Sequence, residues 1–543
     1  MFRVTIALIG TALCAAAQQA QHYDLVVYGG TAGGAITAVS AAREGLRVAL
    51  LEPGVHIGGM LSGGLSRTDY GRKEVIGGYA REFYVRAGKY YGTKQYGQDE
   101  AWFHEPKVGE KLLREMLAEA GVRVFEHHRL KENGGVTKSK SRLISIAMED
   151  GSQFEATIFA DATYEGDLMA KAGVSYTWGR EPSSRYGESL AGVRPTHYQH
   201  VFRFPISVYD ASGKLLPEIQ TAPHGEIGEG DKKVQAYNFR ICVSKDPNNR
   251  IPYPKPEKYN AARFELLVRL LQNWEKHNGR PPVMTDLFIV SPIPNNKADI
   301  NNRGAFSTDY LGMNWEYPEA SYARKAAIWK DHLNYTQSLF YFLANDERVP
   351  ASVRDGMKEW GLPKDEFTDT GHWPHQLYVR EARRMLGDYV VTQKDIQVER
   401  TKPDPIGMGS YNSDSHAVQR FVQSDGTVQN EGLMEVPVQP YQIPYRVMLP
   451  KRTEAINLLV PVALSASHVA YSTLRMEPQY MIIGQAAGVA AYMAIQAQLP
   501  LQDINVKQLA DTLRKQGVVF EYSPAPPLPV LREPATQRHA SLR

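Results

Sequence analysis

Residues 23–38 read YDLVVYGGTAGGAITA, and the fold turns on them. Asp24 to Tyr28 is a nearly continuous apolar run, the signature of a buried parallel strand. Helix-compatible residues Ala35 to Glu44 follow, with Gly45 as a stop. Leu46 to Leu51 is a second apolar run that ends at Glu52 and a Pro53-Gly54 turn. The order strand, glycine-rich turn, helix, strand predicts a βαβ unit whose helix N-terminus faces a phosphate. Counted from Gly29, however, the fingerprint G-x-G-x-x-G carries Thr31 at its second glycine. Gly29 allows the tight bend and Gly34 the close packing of helix on strand. Gly30, Ala32 and Gly33 complete the cradle, and the Thr31 hydroxyl is expected to donate to a phosphate oxygen. A plain βαβ turn is the rival. Glu52 weighs against that rival: 23 residues after Gly29, an acid at a strand end suits ribose hydroxyls and disfavours a 2′-phosphate.

The next stretch, EPGVHIGGMLSGGLSRTDYG (52–71), contains two Gly-Gly pairs where a flat cofactor can lie against the backbone. A nicotinamide dinucleotide domain has no need of this extension. A flavin dinucleotide does, because its ribityl chain and ring continue past the pyrophosphate.

The remaining composition sets bounds. A chain of 543 residues, 43% hydrophobic, has room for about two or three domains. A net charge of +3 with no basic run gives no electrostatic case for nucleic acid. Met1-Phe2-Arg3, the apolar Val4 to Ala16 and the small residues Ala15 and Ala17 predict a signal peptide over 1–17, hence a secreted or periplasmic protein without a membrane span. Of the two cysteines, Cys14 leaves with that peptide and Cys242 remains alone, which excludes a redox-active cysteine pair.

Along the chain, Val108–Ala120 reads as a helix, Val122–Phe125 as a strand, and Leu143–Met148 with Phe154–Ala160 as a hairpin. From 195 to 370 the sequence becomes richer in Pro, Asn, Tyr and Trp, with helices near Tyr259–His277 and Tyr322–Ala344. The expected organisation is an α/β fold: a Rossmann-like three-layer dinucleotide domain built from 22–194 and 371–520, with an inserted α+β substrate domain over 195–370. Ile456–Val462 reads as a returning strand and Pro478 to Gln498 as a helix. A Pro-rich, disordered tail is expected over 523–543.

Five separated motifs, YGGTAGG, LLEPGVHIGGMLSGG, FADATYEGDLMAKAGVSYTWGRE, QLYVREARRMLGDYV and LSASHVAYSTLRMEPQYMIIGQAAGVAA, resemble the FAD-dependent oxidoreductase family of the glutathione-reductase-like flavoproteins, some members of which are labelled xanthan lyase. The resemblance runs to about Gly517, and threonine is common in the family at the position of Thr31. It implies FAD, with its pyrophosphate on Gly29–Gly34 and its ribose on Glu52. Val124 would contact adenine through its backbone, and Ala162-Thr163 would supply a second contact. Pro53, His56, Gly58, Gly59 and Met60 would line the extension. The helix that begins at Glu477-Pro478, with Gln479 and Tyr480, would point its positive end at the flavin ring.

Chemistry follows from that frame. His468 is the candidate base for a hydroxyl proton, with a structural histidine as the alternative. Arg475 and Arg380 join it as catalytic candidates. Arg380, Arg383 and Arg384 would orient substrate or form ordinary salt bridges, and helical spacing would keep them from all facing one way. GSYNSDSH (409–416) and PNNKADINNRGAFSTD (294–309) suit sugar hydroxyls or are satisfied loops. His56 is a possible covalent flavin tether. Asp161, Glu165 and Asp167 read as strand-end and capping residues. No metal is expected: Arg303 and Tyr310 spoil a calcium loop at 299–310, and Pro374 separates His372 from His375. The expected activity is dehydrogenation of a polar hydroxylated small molecule or carbohydrate by hydride transfer to flavin. The electron acceptor and oligomeric state stay open. A flavin-dependent lyase or isomerase, or a non-catalytic flavin-binding protein, are the alternatives.

Overall fold

Strand β1 (Gln21–Tyr28) lies parallel to β2 (Val48–Leu51), and the helix α1 (Ala32–Arg43) connects them. The computed structural model describes residues 21–92 and 99–523; the expected signal peptide and residues 524–543 of the expected tail lie outside the described residues. After α2 (Gly78–Tyr91) and α3 (Pro106–Glu119), strand β3 (Arg123–Phe125) joins the outer side of β2 in parallel. The chain then turns through an antiparallel pair, β4 (Val136–Ser139) and β5 (Arg142–Ala147), before β6 (Gln153–Asp161) enters beside β1. The order is β3-β2-β1-β6-β5-β4, a mixed sheet in an α/β fold.

The register decides where ligands go. Tyr28 pairs with Leu51 and with Asp161, so β1, β2 and β6 end at one level. Gly29, Glu52 and Ala162 therefore leave the sheet side by side at its carboxyl edge. Because β2 and β6 flank β1 on opposite sides, this edge holds the crevice where open α/β sheets take ligands.

Residues 241–302 contribute a separate antiparallel sheet: β7 (Ile241–Ser244), then β8 (Phe288–Ile293) and β9 (Lys297–Asn302), in the order β8-β9-β7. Helices α4 (Glu265–Asn278) and α5 (Tyr322–Asn345) correspond to the two helical stretches read from the sequence there. The chain returns as β10 (Leu458–Leu459), parallel to β6 and shorter than the strand expected over Ile456–Val462. Three helices follow, α6 (His468–Leu474), α7 (Glu477–Ala497) and α8 (Val506–Lys515).

Helix α7 is long and apolar enough to cross a bilayer, yet it is a core helix, buried along most of its length and packed on α1. Small residues bring the two backbones together. A side chain at Gly484 would run into Gly33 O, and Ser40 Oγ donates to Gln485 O at 2.8 Å.

Candidate functional site

Gly29 has φ +105°, and a Cβ there would stand 2.8 Å from the carbonyl carbon of Ala162. Only glycine permits that close approach of the β1 and β6 ends. Thr31 sits across the same crevice as the N-cap of α1. Its hydroxyl accepts from Gly34 N at 3.1 Å and donates to Ala162 O at 2.8 Å. The single hydroxyl proton is therefore committed to Ala162. This corrects the expectation that Thr31 donates to phosphate: its side chain caps the helix and ties it to β6. The first turn of α1 contains no acidic side chain, and its leading N–H groups have no intrahelical acceptor, so the anion-binding end of the helix is preserved.

Glu52 accepts from Gly30 N and from Gly54 N, each at 2.7 Å. Burial pushes its carboxyl up to about 7 even though both N–H groups favour the charge. It lies between the phosphate turn and the extension, with half-buried Pro53 beside it and half-buried Val124 on the neighbouring β3. Ala162 N donates to Tyr28 O, and Thr163 donates twice to Asp161 Oδ1, closing the end of β6. Asp161 also accepts from Met169 N, and Asp167 pairs with Lys325 and Arg383. Glu165, between them, accepts from Tyr317 Oη at 3.0 Å, and the N-cap of the short helix that follows is Gly166, so Asp167 acts through its ion pairs and not as a cap.

The extension folds back to α7 through Tyr164, a residue with no local signal of such a role in the stretch FADATYEG. Tyr164 Oη accepts from Met60 N at 3.0 Å and donates to Glu477 Oε1 at 2.7 Å. A side chain at Gly59 would collide with that same phenol, and both Gly58 and Gly59 have positive φ. At the start of α7, Glu477 Oε2 and both polar atoms of Gln479 are buried without a hydrogen-bond partner. Burial drives the Glu477 carboxyl up to about 8, so it is protonated at neutral pH and leaves the positive helix end uncancelled. The phenol of Tyr480 bonds Tyr471 Oη at 2.7 Å, which joins α7 to α6.

His56 stacks on His375 at 3.7 Å, with Nδ1 3.0 Å from Glu110 and Nε2 3.0 Å from Asp369. Although burial opposes charge, these carboxylates raise its pKa. Nδ1 is hydrogen-bonded to Glu110, whereas Nε2, beside Asp369, makes no hydrogen bond.

The arginines of YVREARR are not on a helix; the segment is irregular and ends in a two-residue strand, Arg384–Met385. Arg383 pairs with Asp167 and Glu319, and Arg384 with Glu181 and Glu381, the salt-bridge alternative. Arg380 is different. It lies 3.2 Å from Asp309 Oδ1 and its guanidinium is 4.6 Å from the centre of the Tyr378 ring. Tyr378 Oη in turn accepts from Arg475 Nη1 at 3.0 Å, and Arg475 also donates to Asp414 O. His468, at the start of α6, is held by Glu381 Oε2 at 2.8 Å from Nδ1 and by Glu181 at its backbone N–H. Burial would raise the Glu381 carboxyl, but His468 and Arg384 hold it at about 2. His468 thus shares its carboxylate with Arg384 and Gln235. A second histidine–carboxylate pair, His416–Asp309, lies on the other side of Gln235.

Glu105, Asp365 and Glu366 are the one group among the described residues spaced to share a cation. Lys297 Nζ stands among them at 2.5, 2.9 and 2.6 Å. Asp299, from the rejected calcium-like stretch, accepts from Ser66 N and Arg67 N and pairs with Arg240.

Residue by residue, this site fits FAD: a capped helix end for phosphate, an acid for ribose, a glycine-lined extension, and unpartnered polar atoms where a ring would need them. No curated protein matches the chain. Among solved structures, a geranylgeranyl bacteriochlorophyll reductase-like protein of Thermoplasma acidophilum is 12% identical with a TM-score of 0.35, over 92% of this chain and 84% of its own. The anhydrotetracycline hydroxylase OxyS of Streptomyces rimosus is 11% identical with a TM-score of 0.26, over 52% of this chain; the chain spans only 44% of its length. The family model described as FAD dependent oxidoreductase matches residues 24–513. The chain belongs to the FAD-dependent oxidoreductase family and is a FAD-binding enzyme.

Proposed function

We propose that this oxidoreductase dehydrogenates a polar, hydroxylated small molecule or a carbohydrate. In this account, 22–194 and 371–520 form a glutathione-reductase-like cofactor domain, 195–370 covers the substrate, and the N-terminal pattern directs export. One observation carries the substrate class: Asp309, His416, Arg380, Tyr378 and Arg475 form a buried, connected polar cluster that ends immediately before Met476-Glu477, at the start of α7. An apolar substrate would leave such groups unsatisfied.

Gly29–Gly34 and Glu52 would hold the dinucleotide, and Gly58–Met60, Glu477 and Gln479 the ring end. Bound FAD supplies a two-electron acceptor for hydride. The chain supplies the rest: arginine N–H groups orient substrate oxygens, a histidine–carboxylate pair takes the hydroxyl proton, and the buried surroundings exclude water. The test is anaerobic incubation of the FAD-loaded protein with sugars, uronic acids and hydroxy acids. At least one compound should bleach the flavin absorbance; no bleaching across a broad panel overturns the proposal. Turnover without net acceptor consumption would instead favour a lyase or isomerase.

A further inference from the structure

His416 and Asp309 come from the two polar stretches that the sequence left as sugar-binding or merely satisfied loops. Folding sets His416 Nδ1 2.8 Å from Asp309 Oδ2, both residues being buried. The other oxygen of Asp309 faces Arg380. Burial alone would raise the Asp309 carboxyl, but Arg380 and His416 hold it at about 2, so it is a carboxylate at any working pH. With Nδ1–H donated to that carboxylate, a neutral imidazole carries its lone pair on Nε2. Nε2 forms no hydrogen bond, and Asp414 Oδ1 lies 4.0 Å from it. Burial and Arg380 lower the His416 pKa, which keeps the ring uncharged at neutral pH and able to accept a proton.

Arg380 adds an independent observation. Its side chain is fully buried, Nη1 donates to Ala236 O, Nη2 is ion-paired with Asp309 Oδ1 at 3.2 Å, and Nε has no hydrogen-bond partner. An unpaired Nε–H on a buried guanidinium calls for an oxygen acceptor from a ligand. His468 offers less. Its carboxylate partner Glu381 is shared with Arg384 and with Gln235 Nε2, and Gln235 Oε1 accepts from His416 N at 3.1 Å. The His468 network thus braces the backbone of His416 from behind.

We propose that His416 is the proton acceptor of the reaction, that Asp309 is the positioning residue that fixes its tautomer, and that Arg380 holds the substrate oxygen. This rests on the dehydrogenase proposal above, and it moves the base from His468 to His416. In the step, the substrate O–H bond breaks and its proton goes to Nε2. The neighbouring C–H bond breaks and its electron pair leaves as hydride to the acceptor that FAD supplies, and the C=O bond forms. The groups facing His416 that set its titration are Arg380, Asp309, Asp414 and His200.

The experiment follows anaerobic flavin reduction against pH in the wild-type, H416Q, H468Q and D309N holoenzymes, using a compound that the panel identifies. Dithionite reduction, flavin content and melting midpoint are measured alongside. H416Q should slow substrate-driven reduction about 10²–10⁴-fold. Its half-saturating concentration, dithionite reduction and melting midpoint should barely change. D309N should shift the lower inflection of the pH profile downward, because losing the carboxylate makes the imidazole less basic. Wild-type rates in H416Q, or a D309N profile that superimposes on wild type, overturn the inference while leaving the dehydrogenase proposal intact. The D309N profile decides the matter should H416Q fail to fold. If no compound bleaches the wild-type flavin, the dehydrogenase proposal falls and this inference with it.

Discussion

Tyr164 and Glu477, 313 residues apart, meet at 2.7 Å, and the same phenol oxygen accepts from Met60 N. The glycine-rich extension and the start of α7 are thereby fastened to each other at the place where the flavin ring is expected. Tyr164→Phe removes the donor to Glu477 and leaves the buried Met60 N–H unpaired, a loss of roughly 1–3 kcal/mol. FAD should bind about tenfold more weakly or worse, as measured by fluorescence titration of flavin-stripped protein.

Glu477 makes a pH prediction. Its carboxyl is raised from the ordinary range to about 8 by burial, so the folded protein holds a proton that the unfolded chain releases. That contribution to stability is complete below about pH 4.5 and is lost as pH rises through about 8. Glu477→Gln keeps the neutral shape. The holoenzyme melting midpoint of wild type should therefore fall relative to E477Q between pH 5 and 9, by the equivalent of about a few kcal/mol. Parallel curves would contradict the assignment.

Thr31 separates capping from phosphate donation. As the N-cap and the tie to Ala162, its hydroxyl stabilises the protein whether or not FAD is bound. Thr31→Val should cost about 1 kcal/mol of stability in the flavin-stripped protein, and Thr31→Ser much less. If T31V left the stripped protein unchanged and weakened only FAD binding, the phosphate-donor role would be restored.

Lys297 is enclosed by two buried carboxylates, Glu105 and Glu366, and by the more exposed Asp365. Lys297→Met strands those acids and should destabilise the protein by about 3–5 kcal/mol in urea unfolding. A chelator should leave the wild-type transition unmoved. A divalent cation should partly restore K297M, since the spacing of the carboxylates suits one.

The sequence made the local parts of this site legible. The strand-turn-helix of β1 and α1, the acid at Glu52 and the Pro-initiated α7 each announce themselves within a few residues, through hydrophobic periodicity and cap chemistry. What it could not show were pairings across hundreds of residues. Nothing local indicates that Tyr164 reaches Glu477, that His416 meets Asp309, or that Gln235 links the two histidine–carboxylate pairs. Thr31 misled for a related reason, because its acceptor, Ala162 O, lies 131 residues away. The helical spacing assigned to the YVREARR arginines failed as well: in that irregular segment Arg380, Arg383 and Arg384 each reach a carboxylate distant in sequence, and Arg384 also pairs with the neighbouring Glu381.

The central claim, that FAD is held across the β1–β6 crevice, is tested most directly by titrating flavin-stripped wild type and Gly34→Ala with FAD. A Cβ on Gly34 would overlap Gly29 O and press on Ala162 Cβ, displacing the helix end from the phosphate position. Wild type should take up stoichiometric FAD and G34A little or none, with the folded far-UV signal retained. Failure of wild type to take up FAD, or equal uptake by G34A, would contradict it.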